Sequence, residues 1–284
     1  MRIKDYITTA LKESNLTSLE MSLILAYVLK KPREFVLTYT EYKIDSRQAR
    51  KINSLIARRK RGEPLAYLLG EKEFYGLNFF VNKNVLIPRP ETELIIEETI
   101  HATRDTQHAT IVDVGTGSGC IIITLAILNQ KFKDHEYIGL DISSKALTVA
   151  KKNSKFHKVD SKIKFLKSDL LSGITNLPGI VRSSKIIILA NLPYLTPKQV
   201  RESPSIKYEP KSALIAGSGG LKYYRKLFKQ IIKLKLDNYV AFCEIDHTQA
   251  RNIKKLITKE LPEAKTEIKK DLAGYDRLVI VKSK

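Results

Sequence analysis

The stretch Asn191-Leu192-Pro193-Tyr194 holds the groups in this chain best suited to chemistry on a planar nitrogen. It follows Ile186-Ile187-Ile188-Leu189, an apolar run with the length and β-branched content of a buried strand. An asparagine at the end of such a strand, followed by X-Pro-Tyr, offers a side-chain carbonyl, a constrained backbone carbonyl and an aromatic face. The constraint falls on Leu192, because a residue before proline is held extended. The Asn191 side-chain oxygen and the Leu192 carbonyl can accept both hydrogens of an amide or of an amino-purine nitrogen, with the face of Tyr194 against the plane. A strand that merely ends in a proline turn has the same appearance, so the rest of the chain must decide.

A second group lies upstream. Thr110-Ile111-Val112-Asp113-Val114 reads as a strand, runs into Gly115-Thr116-Gly117-Ser118-Gly119, and is followed by helical sequence over Cys120–Leu128. Glycines let the backbone approach a ligand closely, and free amides at a helix start attract polar or anionic groups. Asp141 closes the next strand, 22 positions beyond Gly119, where a carboxylate can receive ribose hydroxyls. Dinucleotide sites space their glycines GxGxxG. Here they fall at 115, 117 and 119 with Asp113 just ahead, which suits S-adenosylmethionine better than a pyrophosphate. Asp169, after the third strand, can accept from an adenine amino group, and Leu170 can cover the ring. As the plainer alternative, Asp141 and Asp169 only cap loops, a reading that fits Asp169 as well as the ligand role does. The expected cofactor set is Gly115, Thr116, Gly117, Ser118, Gly119, Asp141, Asp169, Leu170 and Asn191.

With that methyl donor in the cradle, Asn191, Leu192, Pro193 and Tyr194 are the expected catalytic residues. An amide nitrogen is a poor nucleophile because its lone pair is delocalised into the carbonyl. Accepting both of its N–H bonds orients it and helps localise the pair toward the methyl carbon, for an in-line displacement. None of the five histidines (101, 108, 135, 157, 247) is marked as a general base. None is required, since an alkylated amide nitrogen is acidic enough to lose its proton to water.

At 284 residues the chain can form one large domain or two unequal ones, and 43% hydrophobic residues exclude wholesale disorder. No apolar run approaches the roughly 18 residues of a membrane helix, and Met1–Tyr6 lack a signal peptide's apolar core. Cys120 and Cys243, without a CxxC, give neither a disulfide framework nor a zinc site, and both read as packing residues. A cytoplasmic protein is expected, with no metal, no membrane association and a monomeric state. The net charge of +20 favours polyanions, nucleic acid above all. Its cations nonetheless run along the whole chain, with short clusters such as Arg58-Arg59-Lys60-Arg61, as they do on solvated surfaces.

The elements that must position these groups come in two styles. Residues 2 to about 72 read as a small helical bundle. Leu19, Leu23, Ala26 and Tyr27 recur at helical spacing, as do Ile52, Leu55, Ile56 and Arg59. Thr17 or Ser18 and Asp45-Ser46 are start signals, and Pro64 can open a short helix. Residues 73–88, aromatic and β-branched with Gly and Asn punctuation, read as a β-hairpin linker. A helix follows from Pro90 to about Thr103. Beyond it, strands at 110–114, 137–141, 162–166, 186–189 and 239–245 alternate with helices near 120–128, 144–154, 219–236 and 247–260. Strands at 265–269 and 278–281 close the chain. That alternation predicts a mostly parallel, doubly wound α/β sheet.

Several stretches together resemble the release-factor glutamine methyltransferase family, often called PrmC or HemK. They are Gly62–Gly70 with Glu73-Phe74-Tyr75-Gly76, Leu86-Ile87-Pro88-Arg89-Pro90-Glu91-Thr92-Glu93, Asp113–Gly119, Asn191–Tyr194, Tyr208–Leu214 with Gly217–Leu221, and Asp271–Arg277. The likeness spans nearly the whole chain. It implies a Rossmann-like class I methyltransferase fold behind an N-terminal helical bundle, with recognition residues 1–72, a hairpin 73–88 and a catalytic domain 89–284. It also implies methylation of the glutamine side-chain nitrogen in the Gly-Gly-Gln motif of peptide-chain release factors, gripped by the bundle. Two positions depart from the family pattern: Leu192 stands where N-P-P-Y has proline, and Asp246 where glycine is expected.

N-L-P-Y also resembles the active-site tetrapeptide of ribosomal RNA adenine dimethyltransferases, and N/D-P-P-Y that of DNA adenine methyltransferases. The net charge fits such a substrate. Domain order opposes it, since the RNA enzymes resemble a catalytic domain followed by a small one, whereas about ninety residues precede this glycine loop. The protein substrate is therefore the preferred expectation.

Overall fold

The computed structural model describes residues 1–13, 16–129, 135–176 and 185–284. The chain divides into two compact units, residues 1–71 with 204–208, and residues 72–203 with 209–284.

The first unit is helical, with α1 (Ile3–Glu13), α2 (Ser18–Leu29), α3 (Arg33–Thr38), α4 (Ser46–Lys60) and α5 (Leu65–Leu69). Thr17 caps α2 in a reciprocal box with Glu20, and Asp45 caps α4 in the same way with Gln48, so both start signals act through the groups that announce them. Pro64 takes the N-cap of α5 rather than its first position. On α4, Ile52 and Leu55 are buried as the spacing predicts, and Arg59 pairs with Glu20 at 2.8 Å. The buried side of α2 differs from the predicted stripe: Leu19 and Tyr27 are exposed, while Met21, Ile24, Leu25, Val28 and Leu29 are buried. Helix α2 is apolar nearly all round, so periodicity carries little directional information there. Packing against α1, α3 and α4 selects the face instead.

Next in the chain is a hairpin of β1 (Glu71–Phe74) and β2 (Leu77–Phe80). Tyr75 and Gly76 have φ of 51° and 71°, the positive pair of a tight primed turn. The expected hairpin through residue 88 stops short, because 81–88 contain no strand. The Asn84 and Val85 amides turn back onto Asn82 at 2.9 and 3.1 Å, and the Ile87 amide donates to the Glu209 carboxylate at 3.0 Å instead of to a neighbouring strand.

Beyond a single 3-10 turn at Pro90–Thr92 come α6 (Glu93–Thr103), β3 (Thr110–Val114), α7 (Cys120–Leu128), β4 (Glu136–Asp141), α8 (Ser144–Phe156), β5 (Ile163–Lys167) and β6 (Ile186–Ala190). Then follow α9 (Pro197–Glu202), α10 (Lys222–Lys233), β7 (Tyr239–Glu244), α11 (Ala250–Glu260), β8 (Lys265–Lys270) and β9 (Asp276–Lys282). The seven-stranded sheet runs β5-β4-β3-β6-β7-β9-β8, parallel from β5 to β7, with β9 antiparallel to both β7 and β8. This is the doubly wound α/β architecture expected from the alternation. Alternate residues of each central strand enter opposite cores: Val112, Val114, Ile186 and Ile188 with α10 and α11, and Ile111, Ile187 and Leu189 with α6, α7 and the hairpin. The helix expected from Gly219 begins only at Lys222, because Gly220 holds a left-handed φ of 67° against the Tyr194 carbonyl.

One buried side chain joins the hairpin to the loop after β3. Asn153 of α8 receives the Phe80 amide at 2.7 Å and donates to the carbonyls of Phe80 at 3.0 Å and Ser118 at 2.8 Å. Three backbone groups depend on that one amide. Asn153→Ala should therefore lower the stability of the chain by about 2–4 kcal/mol, measured by urea unfolding; a loss below about 1 kcal/mol would show that the three groups find other partners.

Candidate active site

Strand order reverses between β3 and β6, which lie side by side with Val114 opposite Ala190. At such a switch point the loops leaving adjacent strand ends part and open a crevice. The register brings Asp141 to the same edge on β4 and Glu244 on β7, each one residue beyond a partner of β3 or β6. A cavity of about 220 Å³ opens here. Of the expected cofactor residues, Gly115, Thr116, Gly117, Ser118, Asp141, Asp169, Leu170 and Asn191 line it, and Gly119 does not. Of the expected catalytic residues, Asn191, Leu192 and Pro193 line it, and Tyr194 does not.

The glycine loop is left-handed at Gly115, Gly117 and Gly119, with φ of 77°, 55° and 81°. The Gly115 and Thr116 amides donate to the Leu140 carbonyl at 2.8 and 2.9 Å. The Gly117 amide donates to Asp141 Oδ2 at 2.9 Å, and Ser143 holds Oδ1 at 2.8 Å. Burial raises the Asp141 carboxyl, and these amides oppose the rise. A side chain at Gly115 would press on Leu192 Cδ2, 3.2 Å from where its Cβ would sit. Bare backbone and an acidic group at the cavity edge fit a ligand that carries ribose hydroxyls. Gly119 instead caps α7, where a Cβ would meet Ile123 at 2.8 Å and Ala150 at 3.2 Å.

Asp169 is ion-paired with Lys226 of α10, and its backbone carbonyl accepts from Gln230 Nε2 at 3.1 Å. Leu170 is buried at a left-handed φ of 54°, a conformation held by Ser168, whose hydroxyl donates to the Leu170 carbonyl at 2.5 Å.

Asn191 Nδ2 donates to Thr92 Oγ1 at 2.9 Å, and Thr92 in turn donates to Glu244 Oε2 at 2.6 Å. Tyr194 Oη reaches Glu244 Oε1 at 3.2 Å. Burial, followed by the neighbouring Glu244, pushes the Tyr194 phenol well above its ordinary value, so it stays neutral. The Tyr194 carbonyl accepts from Gln249 Nε2 at 2.8 Å, and Tyr224 Oη donates toward the carbonyls of Ala190 and Glu244. Leu192 is buried in the α10–α11 core. Thr92, Glu244, Gln249 and Tyr224 are absent from the expected site. Thr92 lies within the Pro88–Glu93 signature, and Glu244 at the end of a central strand, which are the two signals that point to them. At the other departure, Asp246 has φ −68°, so this turn needs no glycine; its side chain caps the following turn by accepting from the Thr248 amide at 3.0 Å.

Cys120 is buried, and burial drives its thiol up to about 12. Asp113 is buried beneath the loop, with Thr116 donating to Oδ2 at 2.6 Å and no hydrogen-bond partner for Oδ1 among the described residues. Burial, reinforced by the charge of Asp141, pushes its carboxyl up to about 7. A folded pKa raised above the unfolded one makes a contribution that is complete below about pH 4 and is lost as pH rises through about 7. Cofactor-free protein should thus lose stability relative to Asp113→Asn, by on the order of a few kcal/mol, between about pH 4 and about pH 7. Parallel stability–pH curves in denaturant titrations would contradict this.

Residues 4–70 match the PrmC N-terminal domain, and residues 105–202 match a methyltransferase domain. The chain is 34% identical over 280 residues to a release factor glutamine methyltransferase of Dictyoglomus turgidum, covering 97% of this chain and 95% of that one. It is 34% identical to the protein of the same name from Bacillus subtilis, covering 96% of this chain and 93% of that one. Among solved structures, the hMettl16 catalytic domain in complex with a MAT2A 3′UTR hairpin superposes with a TM-score of 0.58 at 16% identity, covering 91% of this chain and 92% of that one. That likeness is one of fold. The glycine loop and Asn191 at one switch point, with relatives this similar over almost the full length, establish that the chain belongs to the release factor glutamine methyltransferase family and uses S-adenosylmethionine.

Proposed function

We propose that the chain transfers the methyl group of S-adenosylmethionine to the side-chain nitrogen of the glutamine in the Gly-Gly-Gln motif of peptide-chain release factors. The observation that carries this reading is Asn191, whose amide nitrogen is tied back to Thr92 while the residue faces the cavity that holds the glycine loop. The cofactor supplies an electrophilic methyl group. Gly115–Ser118 and Asp141 would hold its nucleoside and amino-acid parts, the loop through its bare backbone and Asp141 through a carboxylate suited to ribose hydroxyls. Asp169 joins them only if Lys226 shares its carboxylate.

Asn191 Oδ1 accepts one hydrogen of the substrate amide, and the Leu192 carbonyl, extended before Pro193, accepts the other. Holding both hydrogens fixes the nitrogen in line with the methyl carbon. Tyr194, drawn toward Glu244, anchors the loop, so its role is support of Asn191 more than cover for the substrate plane. No side chain is needed as base, because the methylated nitrogen releases its proton to water. Residues 1–72 are proposed to grip the release factor, 73–88 to link, and 89–284 to catalyse, in a cytoplasmic monomer.

Purified protein should label a bacterial-type release factor with the methyl group, and a factor whose Gly-Gly-Gln glutamine is replaced should take up none. Labelling of ribosomal RNA or DNA with an unlabelled factor would instead establish the adenine reading. In the same assay Asn191→Ala should bind the cofactor as the parent does and turn over on the order of a hundredfold more slowly; an unchanged rate would remove Asn191 from the chemistry.

A further inference from the structure

We infer that Thr92 and Glu244 form a one-way hydrogen-bond chain that requires an amide at residue 191 and turns its oxygen, not its nitrogen, toward the substrate. The inference rests on the function proposed above and makes Thr92 and Glu244 positioning residues for that reaction.

The direction of the chain is set at its buried end. Glu244 is 1% exposed, and its two oxygens meet the hydroxyls of Thr92 and Tyr194. An ionised carboxylate can only accept. The 2.6 Å contact from Thr92 has the length of a charge-assisted O–H···O⁻ bond. Burial, the largest influence, and the charge of Glu91 raise the Glu244 carboxyl, while the Thr92 hydroxyl, Arg277 and the Tyr194 hydroxyl each favour its ionised form. Arg277 is itself fixed by Asp271 at 3.0 Å and by the Ile245 carbonyl at 3.3 Å. Thr92 has one hydroxyl hydrogen, and Glu244 takes it. Toward Asn191, 2.9 Å away, the Thr92 oxygen can therefore only accept, so the group it meets must be Nδ2. Asn191 Oδ1 is left to the cavity, with no hydrogen-bond partner among the described residues.

The consequence concerns what residue 191 can be. An unrestrained asparagine amide can flip, and half of its orientations would present N–H to a substrate that also offers N–H. The chain removes that freedom. An aspartate in place of Asn191 would set a carboxylate oxygen against a hydroxyl whose hydrogen Glu244 already holds, leaving two carboxylates about one proton. Glutamine in place of Glu244 reverses the order: its nitrogen donates to Thr92, the Thr92 hydrogen turns to residue 191, and its oxygen still accepts from Tyr194. The Asn191→Asp change becomes admissible only in that altered background.

The test uses the full chain and a release-factor substrate, with melting temperature and binding of S-adenosylhomocysteine followed for every variant. Thr92→Val should lower kcat roughly thirtyfold, with KM for the release factor within about threefold of the parent. Thr92→Ser, which keeps the hydroxyl, should restore kcat to within about fivefold. Asn191→Asp should fall roughly a hundredfold, and Asn191→Asp/Glu244→Gln should recover at least about tenfold over it. Independently of activity, NMR of the substrate-free parent should show one slowly exchanging Asn191 side-chain N–H, lost in Thr92→Val. Parental kcat in Thr92→Val, an unimpaired Asn191→Asp, or a double variant no better than Asn191→Asp would overturn the chain. Should the double variant not fold, the Thr92 pair and the NMR signal decide alone. A parent that labels no release factor would defeat the proposed substrate, and the NMR signal would still judge the chain.

Discussion

The pairing of β3 with β6 is the contact on which the site depends. Each strand is buried on both faces and feeds a loop at the same end of the sheet. Because their crossovers leave in opposite directions, neither loop is covered by the other's helix. The glycine loop and the Asn191 loop can therefore face one another across a cavity. Everything else at the site adjusts how they face: Leu192 fills the space beside Gly115, Asn153 carries the Ser118 carbonyl, and Gln249 holds the Tyr194 carbonyl.

The buried acids divide the electrostatic work. Asp113 meets the Thr116 hydroxyl on one oxygen, and its other oxygen has no hydrogen-bond partner among the described residues, so burial dominates and its carboxyl is driven up. Glu244 is as deeply buried but meets two hydroxyls and the field of Arg277, which oppose the burial effect. Glu209 has another arrangement again, with Arg89 on one oxygen and the Ile87 amide on the other. This carboxylate takes the backbone donor that would otherwise seek a strand partner, and so turns 81–88 into cavity wall. Three carboxylates in one sheet-end region thus act as a strained group, a hydrogen acceptor and a clamp.

The sequence carried the fold through period and punctuation. Strands buried on both faces read as β-branched runs, and capped helices announced themselves at Thr17 and Asp45. The Thr196–Gln199 capping box opens α9, a helix absent from the expected elements and too short for any periodicity to register. Where the pattern misled, its cause is physical. Helix α2 is apolar nearly all round, and Val85-Leu86-Ile87 resembles a strand whose ladder partner is a side chain. In the site, the glycine-loop residues 115–118 and Asp141 that line the cavity were readable because local spacing places them. Thr92 and Glu244 meet from 152 positions apart, and nothing in local spacing encodes that encounter.

Gly220 and residue 192 show how unevenly this site admits variation. At 192 a leucine stands where relatives of this type are expected to carry proline, and the cavity simply gains a side chain in its wall. At 220 a single methyl group would collide with Gln249 Nε2 and with the Tyr194 carbonyl, both far inside van der Waals contact. Gly220 therefore works as a spacer of fixed thickness: it sets how closely the segment before α10 can lean on the loop that carries Asn191. Residue 192 of the cavity wall accommodates a leucine, but at residue 220 any side chain meets a hard stop.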